Sequence, residues 1–421
     1  MCEMDKVIGY DGIKQEMLRI LDVMKNPEKY QRLGLSVPRG ILLDGEPGVG
    51  KTLLAKAFVA DSGRNAYIVR KNKPNGEFVN YIREIFDKAK ENAPSVILLD
   101  DMDKYANEDY RHRDAEEYVT IQACMDGVKE CDVFVVATSN DSQSLPDSLL
   151  RNGRFDKRYH MTFPKGEDAE KIISFFLSDK RVAVDIDVEE IARFSEGFSC
   201  ASLETVINTA GMYAAYEGKD SIDQCDVIRA CLREIYNTPE VENELLPEAT
   251  MRRAVHEAGH AVVAEILAPG SVNFASVVTN MRGIGGMVSR RKKEKSDSLR
   301  DIEKEIMIAL GGKGATELML GEIDTGSNND LHLVFDKVRR ILDNLTAYSF
   351  DSWCHGKETS ENVYTHLDSA TGCEVSRYYL KTKQILIKNR RFLESFVEEL
   401  TEKGTLSYKD IAKIKDKGMA Q

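Results

Sequence analysis

Long apolar runs are missing from this 421-residue sequence, and nothing comes near the ~18 residues that a membrane-spanning helix requires. The opening MCEMDKVIGYDG is charged, with no apolar stretch that would read as a secretory leader. An excess of positive charge is also missing: 58 Lys+Arg stand against 70 Asp+Glu, for a net charge of −12. That balance argues against a nucleic-acid binder. The eight cysteines form no C-x-x-C pair and no disulfide-like rhythm, so they read as reduced thiols of a cytosolic protein. Internal repeats and low-complexity tracts are absent. What is there is ordinary globular material, 42% hydrophobic and 8% aromatic, long enough for two to four domains. The expectation is a soluble, cytoplasmic chain without a membrane segment.

The first third alternates short β-branched runs with amphipathic stretches. ILLD (41–44), AYIV (66–69), VILLD (96–100) and VFVVAT (133–138) have strand length, and residues 52–61, 78–90 and 116–128 have helical periodicity. Such alternation predicts a parallel sheet with helices on both faces. From residue 165 the pattern turns helical and stays so to about residue 237. NTPEVENELLP (237–247), acidic and with two prolines, reads as a linker. Beyond it, helices are expected over 248–267, 301–321, 330–347 and 374–400, interrupted by a strand pair at 272–279 and 283–289. RRKKEKSDS (290–298) reads as a solvated connection.

Gly45-Glu46-Pro47-Gly48-Val49-Gly50-Lys51-Thr52 fits G-x-x-x-x-G-K-[ST], with a strand before it and the helical TLLAKAFVA, opening at Thr52 and Leu53, after it. Its glycines let successive N–H groups curl around a β-phosphate, Lys51 reaches the β/γ-phosphates, and the Thr52 hydroxyl ligates Mg²⁺. VILLDDMD then ends a strand in carboxylates: Asp100 is placed for Mg²⁺ and Asp101 for polarising the attacking water. Asn140, at the tip of the next strand, is placed to orient the same water. Arg151 and Arg154 in LLRNGRFDKR fit arginine fingers delivered to a neighbouring subunit's γ-phosphate. ATP and Mg²⁺ are the cofactors this half calls for.

His256-Glu257-Ala258-Gly259-His260 is H-E-x-x-H within a helical pattern, in a chain holding only 7 histidines. The i, i+4 spacing puts both imidazoles on one face for Zn²⁺, and Glu257 is placed as general base. A hydrolytic zinc site takes a third protein ligand, with Glu317, Glu322, Asp324, Asp330 and His332 downstream. Spacing leaves Asp330, at the start of a helix, and Glu317, within one, as the main rivals.

Taken together, these motifs resemble the FtsH-type ATP-dependent zinc proteases of the AAA+ class, in order, over residues 5–413. The matching stretches are KVIGYDGIKQEM, LLDGEPGVGKT, VILLDDMD, MDGV, VVATSN, LLRNGRFDKR, GFSCASLETVINTA, AVHEAGHAVV, GGKGATELMLG and TGSNNDL. The resemblance implies an α/β AAA+ P-loop module (1–164), a helical lid (165–240) and a mainly α-helical zinc peptidase domain (241–421). It implies that Asp330 is the third zinc ligand and that Arg151 and Arg154 are the trans-acting fingers. It also puts Gly9, with Val7 and Ile8, beside the adenine, and makes MDGV (125–128) a signal of nucleotide state between subunits. A homo-oligomer, a hexameric ring that threads protein or peptide substrates toward zinc, follows by the same resemblance, with no role for nucleic acid.

Three departures stand out. Family members carry N-terminal transmembrane helices, and this sequence has no such run; membrane association would come through a partner. Asp101 stands where the family has Glu, holding its lone pair roughly 1 Å farther from the water, so slower hydrolysis is expected. KNKPNGEF (71–78) replaces the aromatic-hydrophobic-glycine pore loop, with Phe78 and Tyr81 the nearest aromatics. The leading expectation is an ATP-dependent zinc endopeptidase. Its alternatives are a nucleotide-gated peptidase of unfolded chains and a non-proteolytic remodelling ATPase.

Overall fold

The computed structural model describes residues 2–34, 38–106, 115–151, 153–236, 247–279, 285–291, 298–322, 327–343 and 361–419. The chain divides into two compact units, Met1–Val184 with Gly197–Ile222, and Asp185–Glu196 with Asp223–Gln421. The stretch read as a lid, 165–240, is shared between them.

In the first unit, β1 (Gly40–Gly45), β2 (Asn65–Val69), β3 (Ser95–Leu99), β4 (Val133–Ser139) and β5 (Lys157–Met161) form a parallel sheet of order β2-β3-β4-β1-β5. Every residue of β3 and β4 is buried, as expected of strands covered on both faces. Alternate side chains feed two cores. Leu42, Ile97, Leu99 and Val135 pack with Phe78, Ile82 and Phe86 of α4 (Asn75–Glu91) and Ile121 of α5 (Ala115–Gly127). Ile41, Leu43, Leu98 and Val136 face Leu54 and Phe58 of α3 (Lys51–Ser62) and Met17 and Leu21 of α1 (Asp11–Lys25), which the short α2 (Pro27–Gln31) follows. Sequence reading missed β5, KRYHM. It lies at the sheet edge and buries only Tyr159 and Met161, so its charged residues mask its strand character. The consequence of this order is positional: β3, β4 and β1 are neighbours, so the loops leaving their carboxyl ends meet.

Helices continue with α6 (Glu167–Leu177) and α8 (Cys200–Tyr216) in the first unit, and α7 (Val188–Phe194) and α9 (Gln224–Tyr236) in the second. The second unit is built around α10 (Pro247–Leu267), which is buried almost all round from Ala254 to Glu265. An antiparallel sheet of order β7-β6-β8 joins β6 (Val272–Thr279), β7 (Gly285–Arg290) and β8 (Thr405–Ser407). Around them stand α11 (Leu299–Ala309), α12 (Gly311–Leu320), α13 (Asn328–Asp343), α14 (Glu361–Lys388), α15 (Arg390–Lys403) and α16 (Tyr408–Met419). Phe194 of α7 stacks on Phe274 of β6 at 4.4 Å between centroids. The single helices expected over 301–321 and 374–400 are each two, broken at Leu310 and Asn389. The linker 237–246, residues 292–297 of the basic loop and Asp324 lie outside the described residues. Among the described residues no helix is long and apolar enough to cross a membrane.

Candidate metal centre and nucleotide site

One turn of α10 separates His256 from His260, and their Nε2 atoms lie 3.1 Å apart. Asp330, the third residue of α13, brings Oδ2 to 3.3 Å from His256 Nε2 and 3.4 Å from His260 Nε2. Ligands held tetrahedrally at ~2.0–2.1 Å from one ion lie ~3.3 Å apart, so these three atoms have the spacing of a zinc triad. His260 Nδ1 lies 2.7 Å from the Ile308 carbonyl. With the proton on Nδ1, the Nε2 lone pair is left facing the other two ligands. Burial opposes charge on His260, but the Asp330 carboxylate outweighs it and raises the imidazole to about 8. Burial also acts against ionised Asp330, yet when the imidazoles carry protons on Nε2 instead, their hydrogen bonds hold its carboxyl well below the usual range.

A main-chain crossing sets this spacing. Gly259 of α10 meets Gly311 at the start of α12, where a Cβ on Gly259 would fall 2.6 Å from the Ala315 Cβ. A Cβ on Gly312 would fall 2.6 Å from His256 Cε1, His256 Nε2 and His260 Nε2. Only glycine fits against the two imidazoles.

Glu257 is buried beneath β7, and burial pushes its carboxyl up, against the lowering pull of His260 and His256. Glu257, His256, His260 and Asp330 line one cavity of about 890 Å³, with Met287 and Val288 of β7 along another wall. Among the described residues, the rival ligands are paired elsewhere or exposed. Glu317 pairs with Lys383 at 2.8 Å and accepts from the Tyr379 hydroxyl, Glu322 pairs with Arg252 at 2.6 Å, and His332 is exposed.

The candidate nucleotide-site residues gather at the carboxyl ends of β1, β3 and β4. Thr52, in the first turn of α3, donates to Asp100 Oδ1 at 2.8 Å, and Thr138 of β4 donates to the same oxygen at 2.8 Å. Lys51 Nζ donates to the carbonyls of Gly45 and Glu46, both at 2.7 Å, and burial lowers its pKa. Asp101 takes a left-handed backbone, φ 54°, donating its N–H to Thr138 Oγ1 at 2.9 Å. Its carboxylate pairs with Lys104 at 2.6 Å. Asn140 is half-buried, and its N–H donates to Asp103 Oδ1 at 2.9 Å. Gly48 packs against Ser199 and Ala201 at the start of α8, Gly50 caps α3, Val49 is buried and Leu53 is exposed. Gly9 lines a separate cavity of about 300 Å³ together with Ile8, Thr162 and Asp168. The hydroxyl of Tyr10, also in that cavity, lies 3.0 Å from the Val49 carbonyl and ties this corner to the phosphate loop.

The two arginines differ. Arg154 is held by Asp126 of MDGV at 2.8 Å and donates to the Ser148 carbonyl, whereas Arg151 is exposed. Sequence reading missed Arg70, which follows β2 and grips the buried Asp100 with two nitrogens, Nε at 2.7 Å. Only the β2–β3 register, Val69 opposite Leu99, brings them side by side.

Residues 41–163 match the ATPase family associated with various cellular activities (AAA), 185–228 the AAA+ lid domain, and 245–414 peptidase family M41. The ATP-dependent zinc metalloprotease FtsH of Caldicellulosiruptor bescii is 30% identical over 97% of this chain and 71% of its own length. This chain belongs to the FtsH family. FtsH 2 of Symbiobacterium thermophilum is 29% identical over 97% of this chain and 73% of its own length. FtsH of Leptotrichia buccalis is 31% identical over 97% of this chain, but the match spans only 56% of the relative. All three FtsH matches run through both the phosphate loop and the H-E-x-x-H helix. The α/β ATPase module with its lid and the helical metalloprotease region therefore agree with the fold class expected from the sequence.

Proposed function

We propose that this chain is an ATP-dependent zinc endopeptidase acting on protein or peptide substrates as a homo-oligomeric, hexameric ring. Its parts would be the nucleotide module at 1–164, the lid at 165–240 and the peptidase at 241–421. The observation that carries the reading is the near-tetrahedral spacing of His256, His260 and Asp330 beside a buried acid. These three residues would hold Zn²⁺, which polarises the scissile carbonyl and acidifies water. Glu257 takes the proton from the attacking water and passes it to the leaving amine; its raised pKa suits both duties. The outer edge of β7 offers free main-chain groups along which an extended peptide can add as a strand.

At the other site, Lys51 and the N–H groups of Gly48 to Thr52 hold the phosphates, and Gly9 borders the base. Thr52 and Asp100 would hold Mg²⁺, which neutralises phosphate charge. Asp101 and Asn140 orient the water, after Asp101 turns away from Lys104. Arg151 is the finger free to reach a neighbour; Arg154 must first release Asp126. This release would couple MDGV to nucleotide state.

A nucleotide-gated peptidase with slow hydrolysis is favoured by one observation. Phe78 is buried against Tyr105 at 5.1 Å, and Tyr81 lies under Lys73 at 4.8 Å, so neither ring is presented by the loop 71–74. Degradation of a folded and an unfolded casein-type substrate, with ATP and with a non-hydrolysable analogue, separates the readings. Threading requires hydrolysis for the folded substrate; gating supports the unfolded one with either nucleotide. Activity that survives a zinc chelator would overturn both.

A further inference from the structure

Among the described residues, the cavity beside the candidate metal centre holds an arginine with no ion pair. Three arginines line it. Arg252 pairs with Glu322 at 2.6 Å, and Arg290 grips Glu305 through two nitrogens at 3.0 and 2.7 Å. Arg253 makes no ion pair among the described residues, and its Nη1 is buried without a hydrogen-bond acceptor. The position is not peripheral. Arg253 lies three and four residues before His256 and Glu257, so all three project from one face of α10. The first residue of β7 closes over it: a Cβ on Gly285 would fall 2.7 Å from Arg253 Cζ, just as one on Gly286 would fall 2.8 Å from Glu257 Cγ. The edge strand thus rests on the guanidinium and on the acid at consecutive residues. Glu248, the remaining acidic group on this side of the cavity, is exposed in the first turn of α10.

A buried guanidinium N–H left unpaired costs free energy, and a partner that supplies an acceptor recovers it. The planar fork of arginine matches a carboxylate better than any other common acceptor in a polypeptide. We propose that Arg253 forms a subsite for a carboxylate of the bound chain, supplied by an Asp or Glu side chain near the scissile bond or by a free C-terminus. This rests on the peptidase reading above, and makes the substrate preference of that site acidic at one position. Val288 and Ile308 line the same cavity, so apolar side chains stand among the charged groups that border a pair formed there.

The test uses the full, zinc-loaded chain in a Glu257→Gln background and three fluorescent peptides of one sequence. The first is amidated with Gln near its centre, the second has Glu in that place, and the third keeps Gln but ends in a free carboxylate. With Arg253 present, anisotropy is expected to give the Glu peptide or the free-acid peptide about a tenfold lower Kd than the amidated Gln peptide. Which of the two gains identifies the source. The preference should shrink as salt rises. In Arg253→Gln the ratios should approach one, and Arg253→Lys should keep only part of the preference. Equal Kd for all three peptides with Arg253 present, or a preference that survives Arg253→Gln, overturns the subsite. With Glu257 restored, cleavage of all three at equal kcat/KM removes the subsite and leaves the peptidase standing. Selective binding without any cleavage does the reverse.

Discussion

Among the described residues, Glu257 is a buried carboxylate beside the candidate ligands His256, His260 and Asp330 without being one of them. Its replacement by Gln keeps shape and removes proton transfer. Peptide cleavage is expected to fall by about 10²–10⁴-fold while zinc content by elemental analysis stays stoichiometric. A variant that cleaves at full rate would remove the base assignment. Asp126 offers a different test, because Arg154 and Lys129 lower its carboxyl from 3.8 to about 2. A depressed carboxylate contributes stability above its unfolded value and loses it as pH falls toward the folded one. The Asp126–Arg154 clamp should therefore stay closed from pH 5 to 9 and open only in strong acid. A carboxyl NMR titration with a midpoint above 4 would contradict this. The two histidines were legible because one helical turn fixes their spacing. Asp330 lies 70 residues beyond His260, and only the packing of α13 separates it from Glu317, which Lys383 and Tyr379 already hold.

Among elements, the crossing of α10 and α12 is the one whose geometry the candidate metal ligands inherit. Gly312→Ala is expected to cost about 1–3 kcal/mol by overpacking and to weaken zinc retention, measured by thermal unfolding and by dialysis against a chelator. Unchanged metal affinity would mean the imidazoles have room to shift. In α4, Phe78→Ala should destabilise the nucleotide module by about 3–5 kcal/mol, as loss of a buried ring does. Selective loss of folded-substrate degradation at unchanged stability would instead restore Phe78 to a gripping role. Strands β1 to β4 were readable because they are short, apolar and bounded by turns. β5 was not, since an edge strand carries charge outward, and the breaks at Leu310 and Asn389 were hidden because apolar periodicity runs through both.

At the scale of the whole chain, every candidate nucleotide-site residue named above falls in the first compact unit and the candidate metal ligands His256, His260 and Asp330 in the second. A chelator should abolish cleavage and leave nucleotide affinity within twofold, while Lys51→Ala should do the reverse to nucleotide affinity. Light scattering with ATP present should report a closed oligomer, and Arg151→Ala should lower ATPase activity per ring without dispersing it. A monomer under every nucleotide condition would contradict a trans-acting arginine. The separation of the two chemistries has a genetic corollary. Subunits crippled at Lys51 and subunits crippled at Glu257, each inactive alone, should rescue one another when co-assembled, because in the proposed ring each would lend the half that the other has lost.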